Sequence, residues 1–204
     1  MMSAAAPARA PTPVVLEGAH VRLEPLAPGH LDALSAVGLD EELWRWTIAR
    51  ATTRPEMQAW LDAALAAQAA GTQVPFALVE RSADRLVGST SYLNIAVADG
   101  RLEIGSTWVA RPWQRTAVNT EAKLLLLRQA FEVLGYERVE FKTDALNAQS
   151  RAALRRLGAI QEGILRRHMR TSTGRLRDTV YFSILKAEWP AVRATLEGRL
   201  APVA

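Results

Sequence analysis

The sequence has no cysteine among its 204 residues. This absence excludes disulfide bonds, cysteine-based zinc sites, iron–sulfur clusters and a thiol nucleophile. Secreted domains that depend on disulfides are excluded as well, so a cytoplasmic location is expected. An acyl intermediate on cysteine is likewise excluded, which favours direct transfer between two bound substrates for any group-transfer reaction.

Long apolar runs are absent too. The longest uncharged one near the middle of the chain, Leu124-Leu125-Leu126-Leu127, is flanked by Lys123 and Arg128, whereas a membrane span needs roughly 20 apolar residues. Net charge is also small, because 25 Lys+Arg against 21 Asp+Glu leave +4. We therefore expect no membrane span and no nucleic-acid partner.

The first 13 residues are rich in alanine and proline and lack a leucine-rich core. They predict a disordered tail rather than a signal peptide. The length of the remainder fits one domain, and no Gly/Ser-rich linker divides it. We expect a tail over residues 1–13 and a single domain over residues 14–204.

Periodicity and capping signals predict the elements of this domain. The sharpest helix start is Thr53-Arg54-Pro55-Glu56, which combines an N-cap, a proline in the first turn and a capping-box glutamate. Strands are predicted at 21–26, 76–81, 86–97, 102–109, 139–143, 163–171 and 178–185, and helices at 28–37, 53–71, 119–135, 148–157 and around 189–196.

The order of these elements predicts a mixed α/β sheet. Strands are bunched early and alternate with helices later, which differs from a doubly wound parallel sheet. A strand–helix–strand crossover centred on the helix near Asn119 predicts a parallel pair in the middle of the sheet.

The loop at residues 111–118 is the first candidate site. It lies between a predicted strand and a helix N-terminus, where free backbone N–H groups and the helix dipole favour an anion. The glycine-rich patterns of P-loops and dinucleotide folds are absent. The loop therefore predicts a phosphate cradle outside those two classes, with an ordinary connecting loop as the alternative.

Four segments occur in a telling order: Leu102-Glu103-Ile104-Gly105, residues 113–123, Asn147-Ala148-Gln149-Ser150, and Leu157-Gly158-Ala159 with Glu162-Gly163 beyond. In order and spacing they resemble the GNAT superfamily of acyl-CoA-dependent N-acetyltransferases, in the branch similar to ribosomal-protein N-terminal acetyltransferases. The resemblance covers about residues 14–196. It implies a twisted, mostly antiparallel sheet of about six to seven strands with a central parallel pair and helices on both faces.

The resemblance also implies acetyl-CoA as co-substrate. Family members hold the CoA pyrophosphate in a pattern Gln/Arg-x-x-Gly-x-Gly/Ala, which begins here at Gln114, although Ala117 and Asn119 stand where small glycines are usual. Asn147 is implied to hold the pantetheine or an ordered water, and a plain helix cap is the alternative. The implied cofactor-binding residues are Trp108, Val109, Gln114, Arg115, Thr116, Ala117, Val118, Asn119, Thr120 and Asn147.

Amide formation from an amine and a thioester needs a base for the amine and an acid for the departing thiolate. Glu103, the acid within an apolar strand, is predicted as the base or as an ammonium-binding residue, with a solvent-facing strand residue as the alternative. The tyrosine that many family members use as acid is Leu154 here, so the resemblance assigns that role to Ser150, with water as the alternative. No metal is predicted, because His168 lacks partners at ligand spacing.

The predicted activity is transfer of an acetyl group from acetyl-CoA to a primary amine, with a protein N-terminus among the candidates. A non-catalytic acyl-CoA sensor or an RNA-associated module is the alternative, since residues 151–177 carry eight arginines and one acid. Trp44 and Trp46 could line a substrate wall or simply pack, and Tyr181 could face the site or the core. The acceptor stays open, as does the choice between a monomer and a homodimer through the late hairpin.

Overall fold

The computed structural model describes residues 7–201, which form one eight-stranded sheet with helices on both faces. The strands are β1 (Leu16–Glu17), β2 (Val21–Pro25), β3 (Gln73–Glu80), β4 (Arg85–Ala96), β5 (Arg101–Val109), β6 (Arg138–Asp144), β7 (Ile160–Arg170) and β8 (Leu176–Leu185). The helices are α1 (Leu31–Gly38), α2 (Glu41–Trp44), α3 (Arg54–Ala69), α4 (Ala117–Arg128), α5 (Ala148–Leu157) and α6 (Trp189–Leu200).

The strand order is β1-β2-β3-β4-β5-β6-β8-β7, and every neighbouring pair is antiparallel except β5 and β6. The predicted mixed sheet with a central parallel pair is therefore confirmed. The strand count is eight rather than six to seven because of β1, a two-residue strand too short to leave a periodic signal.

The core lies on both faces of the sheet because side chains alternate along each strand. In β5, Leu102 and Ile104 join the cluster under α4 and α6, whereas Trp108 joins the cluster under α1 and α3. The second cluster is centred on Trp44, Trp60 and Trp108, whose ring centroids lie within 6.1 Å of one another.

Local capping explains several boundaries. The predicted capping box at α3 is present, since Thr53 Oγ1 accepts the Glu56 N–H at 3.3 Å and the Glu56 carboxylate accepts the Thr53 N–H at 3.2 Å. Helix α4 begins at Ala117, two residues before the prediction, because the Thr116 hydroxyl caps it. Helix α2 has four residues, too few for a helical pattern in the sequence.

The predicted tail over residues 1–13 lies partly outside the described residues. In its described part, the Arg9 N–H donates to the Leu134 carbonyl oxygen at 2.9 Å, and Ala8 packs against the core. The chain thus contacts the domain before the predicted start at residue 14, although this stretch forms neither helix nor strand. Within residues 7–201, no helix is both long enough and apolar enough to cross a membrane.

Candidate functional site

The sheet opens between β5 and β6. The two strands pair over three positions only, from Arg101 opposite Arg138 to Glu103 opposite Glu140. Beyond them β5 continues to pair with β4, and β6 continues to pair with β8. The facing edges of β5 and β6 are therefore unpaired with each other past Glu103, and we call this space the gap.

A bulge in β5 lies beside the gap. Ser106 has φ 49°, and the register with β4 shifts at this point. Bulges re-aim side chains and often lie next to functional sites. No residue type typical of a left-handed backbone stands at Ser106, so the sequence carried no signal for this bulge.

Glu103 lies where the parallel pair ends and the gap begins. Its side chain is buried, with the residue 5% exposed, which contradicts the alternative of a solvent-facing strand residue. Glu103 Oε2 lies 2.8 Å from Lys142 Nζ and accepts a hydrogen bond from Asn94 Nδ2 at 2.6 Å. These contacts hold the carboxylate in place through Oε2 and leave Oε1 for an additional donor.

Lys142 and Tyr181 complete the floor of the gap on the Glu103 face. Lys142 Nζ lies 4.9 Å from the centroid of the Tyr181 ring. Burial alone would lower the pKa of Lys142, but its hydrogen bond and charge attraction to Glu103 prevail and raise that pKa. The sequence predicted neither Lys142 nor Asn94, because they come from two other strands and follow no motif.

The predicted cofactor loop adopts the geometry of an anion cradle. Gln114 Nε2 donates to the Val109 carbonyl oxygen at 2.9 Å, which ties the loop to the end of β5. The left-handed residue is Arg115, with φ 62°, whereas Ala117 and Asn119 lie within α4. The missing glycines therefore impose no left-handed strain at those two positions, and the first-turn N–H groups point out of the helix end.

The predicted residues Asn147 and Ser150 lie on the other side of the gap, at the start of α5. Asn147 Oδ1 accepts the Ser150 N–H at 2.9 Å, so Asn147 is the N-cap of this helix. Gln149 Nε2 lies 3.4 Å from Gln114 Oε1, which brings the α5 start against the cofactor loop. The structure thus brings the two predicted segments together.

The remaining predicted residues differ in position. Trp108 and Val109 are buried, and the Trp108 ring belongs to the tryptophan core. Only the backbone of these two residues is thus available to a ligand. Thr120 and Asn119 are half-buried in the first turn of α4.

Helix α4 also carries two buried charged side chains behind the gap. The Glu121 carboxylate accepts the N–H groups of Ala19, His20 and Val21 at 2.8, 2.6 and 2.8 Å. Lys123 Nζ donates to Thr107 Oγ1 at 2.8 Å and to Thr90 Oγ1 at 3.3 Å, and burial lowers its pKa to about 7. Sequence reasoning missed both roles.

The far end of the open face is closed by the β7–β8 hairpin. Arg175 pairs with the buried Asp144 at the end of β6 and lies 5.8 Å from the Trp46 ring centroid. Trp46 therefore forms part of a wall at this end, whereas Trp44 is part of the core. Of the two tryptophans considered from the sequence, only Trp46 borders the site.

Other features of the described chain offer less chemistry. Among residues 7–201, no group of three or more His, Asp or Glu side chains could hold a metal ion. Two shallow depressions of about 280 and 400 Å³ lie along α6. Neither includes a residue of the gap.

Comparisons with known proteins agree with this architecture. Residues 20–160 match the family described as acetyltransferase (GNAT) domain. A crystal structure of a GCN5-related N-acetyltransferase from Brucella melitensis is 36% identical, with a TM-score of 0.89 over 96% of this chain and 89% of that one. An acetyltransferase structure from T. thermophilus, provisionally described as such, is 40% identical, with a TM-score of 0.86 over 94% and 99% of the two chains.

A curated relative from Bacillus subtilis (strain 168) has the provisional name ribosomal N-acetyltransferase YdaF. It is 35% identical over 104 residues, which are 51% of this chain and 56% of that protein. The match thus spans little more than half the length of this relative. It includes a name for an acceptor class but covers only part of either chain.

Proposed function

The chain belongs to the GNAT acetyltransferase domain family, and on this premise we propose that it transfers an acetyl group from acetyl-CoA to a primary amine, with a protein N-terminus as the favoured acceptor. The observation that carries the proposal is Glu103, a buried carboxylate held at the point where β5 and β6 separate. The name of the Bacillus subtilis relative supports a protein acceptor.

The acetyl-CoA pyrophosphate would lie against the first-turn N–H groups of α4, with the Arg115 side chain adding positive charge. The backbone of Trp108 and Val109 borders the path into the gap, and Asn147 borders it from α5. The residues at the α4 N-terminus fit a pyrophosphate because they combine unpaired donors with the positive end of the helix dipole.

In the proposed reaction, the amine nitrogen attacks the thioester carbonyl in a ternary complex. A C–N bond forms, the C–S bond breaks, and the amine loses one proton to Glu103 Oε1 while the departing thiolate gains one. Ser150 is our proposed donor of that second proton, since it lies at the α5 start beside the cofactor loop. The absence of cysteine supports direct attack.

The test is the variant Glu103→Gln, which keeps size and a hydrogen-bonding oxygen but removes the base. We expect kcat to fall by about 10²- to 10⁴-fold, the usual contribution of a general base, while acetyl-CoA affinity by calorimetry stays the same. Release of free thiol with a panel of amines gives the rates.

Glu140→Gln is the matched control. Glu140 is also buried and lies opposite Glu103 in register, but its carboxylate bonds to Arg138. Its kcat should stay within about threefold of wild type. Wild-type rates in Glu103→Gln would remove this residue from the mechanism, and acetyl-CoA binding without turnover on any amine would favour the sensor alternative.

The cytoplasmic location and a homodimer remain proposals. Strand β7 is the outermost strand on one side of the sheet, and it exposes Ile160, Ile164 and Leu165. An exposed apolar edge strand is a common pairing surface. We propose β7 as the dimer edge, which light scattering can test.

A further inference from the structure

Arg177 is a buried arginine on the open face of the sheet. The residue is 7% exposed, and its guanidinium makes three contacts, all to neutral acceptors. Nε donates to Thr179 Oγ1 at 3.0 Å, Nη1 lies 3.4 Å from the Trp46 carbonyl oxygen, and Nη2 lies 3.7 Å from Met169 Sδ. No carboxylate of residues 7–201 forms a salt bridge with it.

The nearby carboxylates already have other partners. Asp144 pairs with Arg175, and Glu103 pairs with Lys142. Arg177 therefore brings a positive charge that these pairs do not neutralise. Burial lowers its pKa, and the attraction of Asp144 and Glu103 offsets this only in part. A buried guanidinium without a bonded anion is unfavourable, and its planar fork of donors fits a carboxylate.

The position of Arg177 relates it to the candidate base. Arg177, Thr179 and Tyr181 alternate along β8, so their side chains share one face, and Tyr181 lies opposite Lys142 in register. The Arg177 side chain leans towards Thr179, which is two residues from Tyr181. Two residues of strand span about 7 Å, so the guanidinium and the Lys142–Glu103 pair are separated by about that distance or more.

We propose that Arg177 binds a carboxylate of the acceptor, and that the acceptor is therefore a peptide with an acidic side chain near its free N-terminus. This inference rests on the proposed function, because it takes the reacting amine to lie at Glu103. A free amino acid does not span the distance, since its carboxylate is only two bonds from its nitrogen. The acidic side chain of the second or third residue in an extended peptide does, at about 3.4 Å per residue.

The experiment compares peptides that differ in one group. Short peptides with glutamate at the second or third position are paired with the glutamine equivalents, and both acetylation rate and binding to the protein–CoA complex are measured. We expect wild type to bind the glutamate peptide and to show a lower KM for it by about 10- to 100-fold, the usual effect of a charge-assisted pair. In Arg177→Met the preference should vanish, while kcat for the glutamine peptide changes little.

Arg166→Met is the matched control, because Arg166 is an exposed arginine of β7 and its loss removes the same charge. Arg177→Lys keeps the charge without the fork, so it should retain part of the preference and also covers the case in which the methionine variant fails to fold. A purely structural role for Arg177 would weaken both peptides equally in Arg177→Met and Arg177→Lys.

Outcomes for this inference and for the proposed function are separable. Equal wild-type affinity for the two peptides overturns the role of Arg177 whatever the turnover. Preferential binding of the glutamate peptide that needs Arg177 supports the role even if no peptide is acetylated, and in that case only the proposed function fails.

Discussion

Two buried charges on one helix have different surroundings. Glu121 meets three backbone N–H groups, whereas Lys123 meets the hydroxyl groups of Thr90 and Thr107 and has no ion pair with a carboxylate in the described chain. Because an ammonium loses its hydration on burial, the neutral amine is favoured, and the pKa of Lys123 falls to about 7.

The change Lys123→Met should alter how stability depends on pH. In wild type the pKa of Lys123 is about 7 when folded and about 10.4 when unfolded. Between these values the unfolded chain binds more protons, so the free energy of unfolding rises with pH, by up to about 1.4 kcal/mol per pH unit. The methionine variant should lack this rise in urea unfolding measured at pH 7.5, 8.5 and 9.5.

Lys142→Met is the control for that series. The pKa of Lys142 is raised rather than lowered, so its charge is the same in both states across this pH range and it adds no slope. If Lys123→Met and wild type gained stability in parallel from pH 7.5 to 9.5, Lys123 would be charged in the folded protein.

At the residue scale, the sequence predicted Glu103 because a carboxylate interrupts an apolar strand. It could not predict Lys142, Asn94 or Arg177, because these residues meet only after three other strands take their register. Lys123 gave no signal either, since a lysine in an amphipathic helix normally faces solvent.

At the element scale, β5 holds its carboxylate in place through a missing side chain. A Cβ on Gly105 would lie 2.8 Å from Glu103 Oε1 and 2.9 Å from Leu93 Cδ1, both closer than normal contact. Both atoms end flexible side chains, so the fold can absorb the extra methyl group if the carboxylate moves. Gly105 thus keeps open the position that the base requires.

Gly105→Ala should therefore lower activity more than stability. We expect kcat to fall at least about tenfold because a small displacement of a catalytic group is costly, while the melting temperature changes by only a few degrees. Gly163→Ala in β7 is the matched control, since its Cβ would meet no atom within 4 Å. An unchanged kcat in Gly105→Ala would show that the acetyl transfer does not depend on the Glu103 position.

Elements with repeated patterns were predictable, and irregular ones were not. Helix α5 has the predicted bounds, because Asn147 caps it and Gly158 ends it with φ 97°. Strand β1, helix α2 and the bulge at Ser106 were missed, since each involves few residues and depends on tertiary contacts.

At the scale of the whole molecule, ligand binding and folding are coupled. A ligand at 100 times its Kd stabilises the folded state by about 2.7 kcal/mol, which is about 5–10 °C in a chain of this size. We expect acetyl-CoA to raise the melting temperature of wild type by that amount if it binds at the α4 N-terminus.

Ala117→Pro tests this location. Proline is well tolerated at the first helical position and lacks an N–H group, so the ligand-free protein should keep its melting temperature while the shift with acetyl-CoA shrinks. Ala117→Gly keeps the N–H group and is the control. A full shift in Ala117→Pro would place the pyrophosphate away from this N–H group.

The short ladder between β5 and β6 has a mechanical consequence. Strands β1–β5 form one hydrogen-bonded ribbon and β6–β8 another, and the two ribbons share three residue pairs at one end. Bending therefore concentrates at those pairs, which act as a pivot, while each ribbon keeps its own hydrogen bonds. The two ribbons behave as lever arms that can tighten around a guest without unravelling either one.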